Sequence, residues 1–513
     1  MFARKSLLIM SANLLDGLLA YVALFFISRD MGPEAYGIIG FAMGFVGLFT
    51  ILTDLGFNSA HIKRVSEGKD LGTCIGTYLF SKLGFILLLA SIVVAVVIIW
   101  KFILGRGFES PTHELAIYII LGFYIVNSIG TFFYYTYTAT KAIAKAQIPL
   151  IIGTVARTIA IIFVAVSGLG ALALAWTYVF GEIIFLFVSI LFFRGYKVKK
   201  PTKECFKNYS VFAMPLILVG ISTTIITNAD KVLIQLFWSS EEVGYYFASF
   251  RIVQFLLVAA AAVGTLLLPT ISSYHIKEDI ESIKKTVFLS ERYISMLIFP
   301  MVIGIVVLAE PTVRILLSAS FYPAVPILMV LPFFVILEAL SQPYMYEVIG
   351  MNKPTLARNR ILIMVCLTVF FDLILIPRDI SSLGLKLFGL GALGASIATV
   401  IGYVAGFIYC RYAAWKLVKN PFNPRILLHL FSAFIMGIIL YELMRFLPIQ
   451  RWYFLLGYSA LGLGIYLSIL LLLKEFTRKD FIFVLDILSI KKMWKYVKSE
   501  IKEENISKIK KNK

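Results

Sequence analysis

The chain has 513 residues, 60% of them hydrophobic and 15% charged, with a mean hydropathy of +0.90. A soluble domain is nearer half apolar and a quarter charged, so water is excluded as the solvent for most of this surface and the bilayer takes its place. The formal net charge is +19, but the Lys and Arg residues sit between apolar runs or in the C-terminal tail, which marks them as topology signals and argues against a nucleic-acid partner.

A helix needs roughly 20 mainly apolar residues to cross about 30 Å of hydrocarbon. In chain order that criterion predicts fourteen spans, at 6–28, 37–57, 73–103, 114–138, 148–167, 170–194, 209–238, 244–274, 287–309, 322–349, 354–376, 388–417, 424–447 and 452–473. The first stretch is too long for a signal core and has no small-residue cleavage site behind it, so it is expected to remain as a helix. The fold class is therefore an all-α polytopic membrane protein. Counting span ends with the loops, Lys and Arg number 24 in the N-terminus and every second loop, 8 in the alternate loops and 12 in the tail from Lys474. By the positive-inside rule both termini are expected in the cytoplasm.

The chain echoes itself at a spacing a little above 200 residues. Met31-Gly32-Pro33-Glu34-Ala35-Tyr36-Gly37 corresponds to Trp238-Ser239-Ser240-Glu241-Glu242-Val243-Gly244, and His61-Ile62-Lys63 to His275-Ile276-Lys277. Phe80-Ser81-Lys82 answers Leu289-Ser290-Glu291, and Gly168-Leu169-Gly170-Ala171-Leu172 answers Gly389-Leu390-Gly391-Ala392-Leu393. Six spans followed by six in the same order and direction predict two lobes related by an axis along the membrane normal, with a substrate site between them. The expected division is 1–208 for the first lobe, 209–420 for the second, 421–473 for helices thirteen and fourteen, and 474–513 for a basic amphipathic tail on the cytoplasmic leaflet.

Ionisable side chains within the spans are the strongest functional pointers, because each costs about 2.5–3.5 kcal/mol at mid-bilayer on insertion scales. The cations are Lys82, Arg157, Lys231 and Arg251; the acids are Asp16, Asp54, Glu182, Asp230, Glu338, Glu347 and Asp372. Arg and Lys are the groups that bind phosphate oxygens, Arg often bidentately. A hydrated cavity lined by Asp16, Lys82, Arg157, Glu182, Asp230, Lys231, Arg251 and Glu338 is expected, with Lys82, Arg157, Lys231 and Arg251 binding an anionic group and the acids balancing them when the site is empty, one acid carrying a coupling proton or Na⁺. The opposing expectation is of structural ion pairs, such as Asp16 with Arg157 or Glu182 with Lys82. The aromatic run Phe132-Phe133-Tyr134-Tyr135-Tyr137 reads as an interfacial belt.

Cys74, Cys205, Cys366 and Cys410 have no metal-ligand spacing, the four histidines form no metal cluster, and no phosphate-cradling loop is present. The loops opposite the termini are about fifteen residues at most. An enzyme is therefore not expected, and neither metal nor cofactor; coupling to an H⁺ or Na⁺ gradient or to the membrane potential stays open.

Arg29, Gly32-Pro33-Glu34-Ala35-Tyr36-Gly37, Asp54-Leu55-Gly56-Phe57-Asn58-Ser59-Ala60 with Arg64, and Gly391 through Thr399 together resemble the polysaccharide transporter family, the Wzx-type O-antigen and oligosaccharide flippases. These form a branch of the multidrug/oligosaccharidyl-lipid/polysaccharide exporter superfamily. The resemblance implies a V-shaped pair of six-helix lobes around a central cavity lined by spans one, two, seven and eight. It also implies a membrane-embedded, lipid-linked oligosaccharide as substrate, on a polyprenyl or dolichyl (pyro)phosphate carrier, with glycosyltransferases or a polymerase of the same pathway as partners. The alternative is a MATE-like, cation-coupled multidrug exporter.

Overall fold

In a computed structural model, residues 2–103, 105, 107–380, 385–477 and 480 are described. Eleven segments among them are long and apolar enough to cross a membrane by length and composition, and each of the fourteen sequence spans is helical over at least part of its length. The first set comprises α1 (Phe2–Phe26), α2 (Gly32–Gly47), α3 (Phe57–Ser66), α4 (Leu71–Ile98), α5 (Pro111–Ala139), α6 (Ile143–Val166) and α7 (Ala171–Phe192). The second comprises α8 (Lys203–Phe237), α9 (Ser240–Gln254), α10 (Leu256–Ile276), α11 (Ile280–Val307), α12 (Ala309–Thr312), α13 (Ala324–Val330), α14 (Phe333–Gly350), α15 (Pro354–Leu375) and α16 (Gly391–Val418), followed by α17 (Arg425–Phe446) and α18 (Trp452–Leu472). The connection between α15 and α16 carries a short antiparallel pair, β1 (Asp379–Ile380) with β2 (Leu385–Lys386).

Helix runs almost without pause from α1 into α2, yet the chain reverses between them. α1 is antiparallel to α9, since Tyr21 Oη donates to the Ile252 carbonyl at 2.7 Å and Gly17 lies against Phe255. α2 is parallel to α9, since Gly37 meets Ser240 and Gly40 meets Val243 and Phe247. Gly32 makes the reversal, at φ 79° and ψ 178°, a region open essentially to glycine alone. Pro33 then starts α2 where its missing N–H costs nothing. The segment Ser11–Gly47 thus holds the first span and the start of the second.

Within the first set α1 packs on α6, α6 on α7, and α5 on α4 and α7; within the second α10 and α11 pack on α14, and α14 and α15 on α16. The end of the bundle that carries the start of α1 and the end of α18 is here the terminal face; the opposite end is the distal face. At the distal face the two sets are pressed together. A Cβ on Gly37 would fall 1.6 Å from the Ser240 carbonyl oxygen, and one on Gly244 would fall 2.1 Å from that of Pro33. These are the two segments that echo each other in sequence, packed reciprocally through their glycines, as close helix approach demands. Nearby, Ser28 Oγ donates to the Leu317 carbonyl, Ser318 Oγ to the Ser28 carbonyl, both at 2.9 Å, and Arg29 to the Ile315 carbonyl at 2.7 Å.

Toward the terminal face the contact between the sets is carried chiefly by α8, whose start packs on α3 and α4. There Tyr209 is fully buried and hydrogen-bonds His61 at 2.9 Å. Gly17 of α1 lies against Phe255, just before α10. Toward the terminal face Ser11, Asn13 and Asp16 are exposed on α1, as are Thr223 and Thr227 on α8, among exposed Leu14, Leu15, Leu18, Leu218 and Ile221.

α17 packs on α11 and α18 on α17, outside the second set. Beyond α18 the chain is anchored by Arg292, only 5% exposed, which donates to both oxygens of Asp480 at 2.9 Å and to Glu475 at 2.5 Å. The amphipathic tail expected over 474–513 otherwise lies outside the described residues. The aromatic run on α5 is packed rather than splayed at an interface: Phe132 and Tyr137 are buried, and Phe133 meets the Phe193 ring at 4.9 Å, edge to face.

Candidate functional site

Near mid-membrane, arginines from the two sets lie within electrostatic reach of one tyrosine, Tyr178. Arg157, in the middle of α6, places its guanidinium 5.8 Å from the Tyr178 ring centroid. Arg251, on α9, stands 5.1 Å over Phe247, faces the Tyr36 hydroxyl, and lies within electrostatic reach of Tyr124 and Tyr178. The Arg157 side chain is 23% exposed and Arg251 is exposed. Both therefore keep part of their charge accessible at mid-membrane depth, where charge persists only in a hydrated or paired setting.

The Arg157 side is built by three helices. Asp16 on α1 accepts from Arg157 at 3.4 Å and from the Thr154 hydroxyl at 2.9 Å. Its side chain remains 50% exposed, so this is a loose, wetted pair rather than a sealed one. Glu182 on α7 is buried and accepts from Asn127 on α5 at 3.0 Å. The expected pairing of Asp16 with Arg157 is present, whereas Glu182 is held by an amide and not by Lys82.

Lys82 and Lys231 are buried and occupied with backbone. Between α2 and α3 the helix is interrupted, with Gly56 at φ 82°, and the Thr53 carbonyl freed by that break accepts from Lys82 Nζ at 3.0 Å. Lys231 donates to the Thr227 carbonyl at 2.5 Å and sits 5.8 Å from the rings of both Phe247 and Phe250. Its stem lies against Gly44, where a Cβ would be only 2.8 Å away. These two cations are thus engaged with backbone, and among the four in-span cations Arg157 and Arg251 are the more accessible ones.

In the second set Glu338 accepts from Arg360 of α15 at 2.5 Å, with Arg360 only 4% exposed. Asp230 on α8 accepts from the Tyr246 hydroxyl and lies 3.5 Å from Thr399 Oγ1. Asp372 on α15 is fully buried within hydrogen-bonding reach of Asp230, and neither of its oxygens meets a donor among the described residues. The result is a buried pair of carboxyls, 3% exposed or less, with two hydroxyls around it. Arg292, Arg360, Arg411 and Glu291 also lie inside helices, where a charge several residues within an apolar stretch is the sequence signal that marks them. No group of three or more His, Cys, Asp or Glu suited to a metal ion occurs among the described residues.

This architecture is shared with known proteins. The chain is 22% identical over 430 residues, 82% of its length and 85% of the relative's, to the probable low-salt glycan biosynthesis flippase Agl15 of Haloferax volcanii. Its fold is similar to that of the lipid II flippase MurJ in an inward closed conformation, with a TM-score of 0.71 at 16% identity, covering 91% of this chain and 97% of that one. It is also similar to an inward-facing multidrug resistance MATE transporter of the MOP superfamily, with a TM-score of 0.63 at 16% identity, covering 81% and 100%. Residues 26–326, more than half of the chain, match the family described as polysaccharide biosynthesis protein, and the chain belongs to that family.

Proposed function

We propose that this protein is a flippase that carries a lipid-linked oligosaccharide, on a polyprenyl or dolichyl (pyro)phosphate, from the cytoplasmic to the outer leaflet by alternating access. The terminal face is cytoplasmic on the Lys and Arg bias, so the conformation described here is closed outside. The observation that carries the reading is the pair Arg157 and Arg251, one from each lobe, both within electrostatic reach of Tyr178. A pyrophosphate brings roughly two or three negative charges, and a guanidinium from each lobe grips it between them. Asp16 balances Arg157 while the site is empty, and Asn127, Tyr36 and Tyr178 offer neutral polar groups alongside. The family membership and the Agl15 relative support the glycan as cargo. The lobes, 1–208 and 209–420, rock about the α2–α9 contact, opening the distal closure as the cytoplasmic side shuts. The Asp230–Asp372 pair supplies the coupling site: two like charges buried together are relieved by a proton or a small cation. A drug exporter for organic cations would place acids, not arginines, beside Tyr178.

The test is flipping of a fluorescent lipid-pyrophosphate oligosaccharide by protein reconstituted in liposomes. Arg157→Gln and Arg251→Gln are each expected to reduce the rate at least tenfold, and the pair to abolish it, while Lys→Arg at surface position 207 leaves it unchanged. Undiminished flipping in both single variants would overturn the reading, and so would export of cationic dyes by wild type that both variants retain.

A further inference from the structure

We infer that a second carbohydrate site lies at the distal face, in a cavity of about 350 Å³ between the two lobes, and that sugar bound there holds the protein closed on its outer side. The inference rests on the flippase reading for its orientation. The volume is at the lower end of small-molecule pockets, roughly 300–1,000 Å³.

The chemistry of the walls selects the ligand. Phe41 and Phe45 of α2 with Trp100 and Phe108 of the α4–α5 connection supply aromatic surface; the Phe45 and Phe108 rings meet edge to face at 6.3 Å. Such ring faces stack on the C–H faces of a pyranose. Glu109 and Gln235 line the same cavity. Gln235 Nε2 donates to Glu109 Oε2 at 2.5 Å, Ser240 Oγ donates to the same oxygen at 3.0 Å, and His113 Nε2 bonds Ser240 Oγ at 2.7 Å. That network leaves Gln235 Oε1 buried with no donor among the described residues, and leaves the Glu109 side chain half exposed. Two acceptors beside aromatic faces fit the hydroxyl donors of a sugar. A lipid chain would leave the amide oxygen unpaired, at the cost of a desolvated polar group. A phosphate would meet the Glu109 carboxylate with no Lys or Arg among the described lining residues, so the described lining favours an uncharged sugar, unlike the arginine pair.

The aromatic wall and Glu109 belong to the first lobe, whereas Val232, Gln235 and Leu236 belong to α8. Separation of α2 from α8 and α9 dismantles the cavity. A ligand that binds only the closed form shifts the population toward it, so glycan accumulating outside slows its own delivery.

Fluorescence of the protein in nanodiscs tests this, titrated with free hexoses, N-acetylhexosamines and their disaccharides. A saturable change that vanishes in Trp100→Phe is expected, with affinity weakened roughly tenfold in Phe108→Ala through loss of an aromatic contact. The same sugars outside proteoliposomes are expected to slow flipping by wild type, and to slow Phe108→Ala far less relative to that variant's own rate without sugar. No saturable change in wild type, or one that survives both substitutions, overturns the site while flipping leaves the functional reading standing. A wild type that binds sugar and does not flip has the reverse consequence: the site stands and the proposed function falls.

Discussion

At the scale of single residues, the bilayer makes each ionisable group an exception that needs a partner. Two pairs show how differently that need is met. Arg360 and Glu338 form one close ion pair; taking away Glu338 leaves a guanidinium in an apolar wall. Glu338→Ala is expected to destabilise the protein by about 3 kcal/mol, and Glu338→Met with Arg360→Met to recover most of it, which thermal unfolding in detergent would measure. Asp230 and Asp372 have like charges and hydroxyl neighbours instead, an arrangement suited to exchange of a small cation. Asp372→Asn is expected to leave flipping intact but insensitive to an imposed Na⁺ or proton gradient. Flipping of that variant that still accelerates with the gradient would remove the pair from coupling.

At the scale of elements, the decisive contact is α2 on α9. Gly37 and Gly244 permit backbone-to-backbone approach, and the serine bonds between Ser28 and Ser318 close the rim beside it. Gly37→Ala inserts a methyl group where there is no room, and the atom it meets is backbone that cannot swing aside. The variant is expected to favour the form open at the distal face. Chemical crosslinking between cysteines placed at 28 and 318 should fall several-fold in the Gly37→Ala background; an unchanged yield would show that the closure does not depend on that approach. The Gly32-Pro33 turn was legible beforehand, because a glycine before a proline at the end of an apolar run marks a reversal through local sterics alone. The break between α2 and α3, capped by Lys82, was not legible. The residues from Leu48 to Gly56 were read as part of one span, and only the long-range contact with Lys82 shows where the Thr53 carbonyl finds a donor.

At the scale of the whole molecule, α17 and α18 are attached through charge as well as apolar packing. Arg292 is the nail, and its partners Glu475 and Asp480 come from beyond the last helix. The Arg292 guanidinium, with help from Thr477, holds the Asp480 carboxyl below the usual carboxylate range. A depressed carboxyl contributes stability above its unfolded value and loses it only as pH falls through the folded one, so the attachment should persist in mild acid. Truncation after Leu473 strands Arg292 and is expected to cost about 3–5 kcal/mol, read as a lower unfolding midpoint. Arg292→Met in the truncated chain should restore much of the loss, and failure to do so would assign the effect to the tail itself.

Membrane residence and helical class were legible in the sequence alone. Both follow from local composition: a run of apolar residues must be helical in lipid wherever it lies in the chain. Asp16 with Arg157 was also within reach of sequence reasoning, as one of the pairings that mid-span charges allow. The choice among pairings belonged to the tertiary structure. The cost of a buried charge is the same whatever neutralises it, so nothing local distinguishes Lys82 and Lys231, turned onto backbone carbonyls, from the more accessible Arg157 and Arg251. That distinction depends on which helices touch across a hundred residues or more, and it arises where paired glycines bring α2 and α9 together.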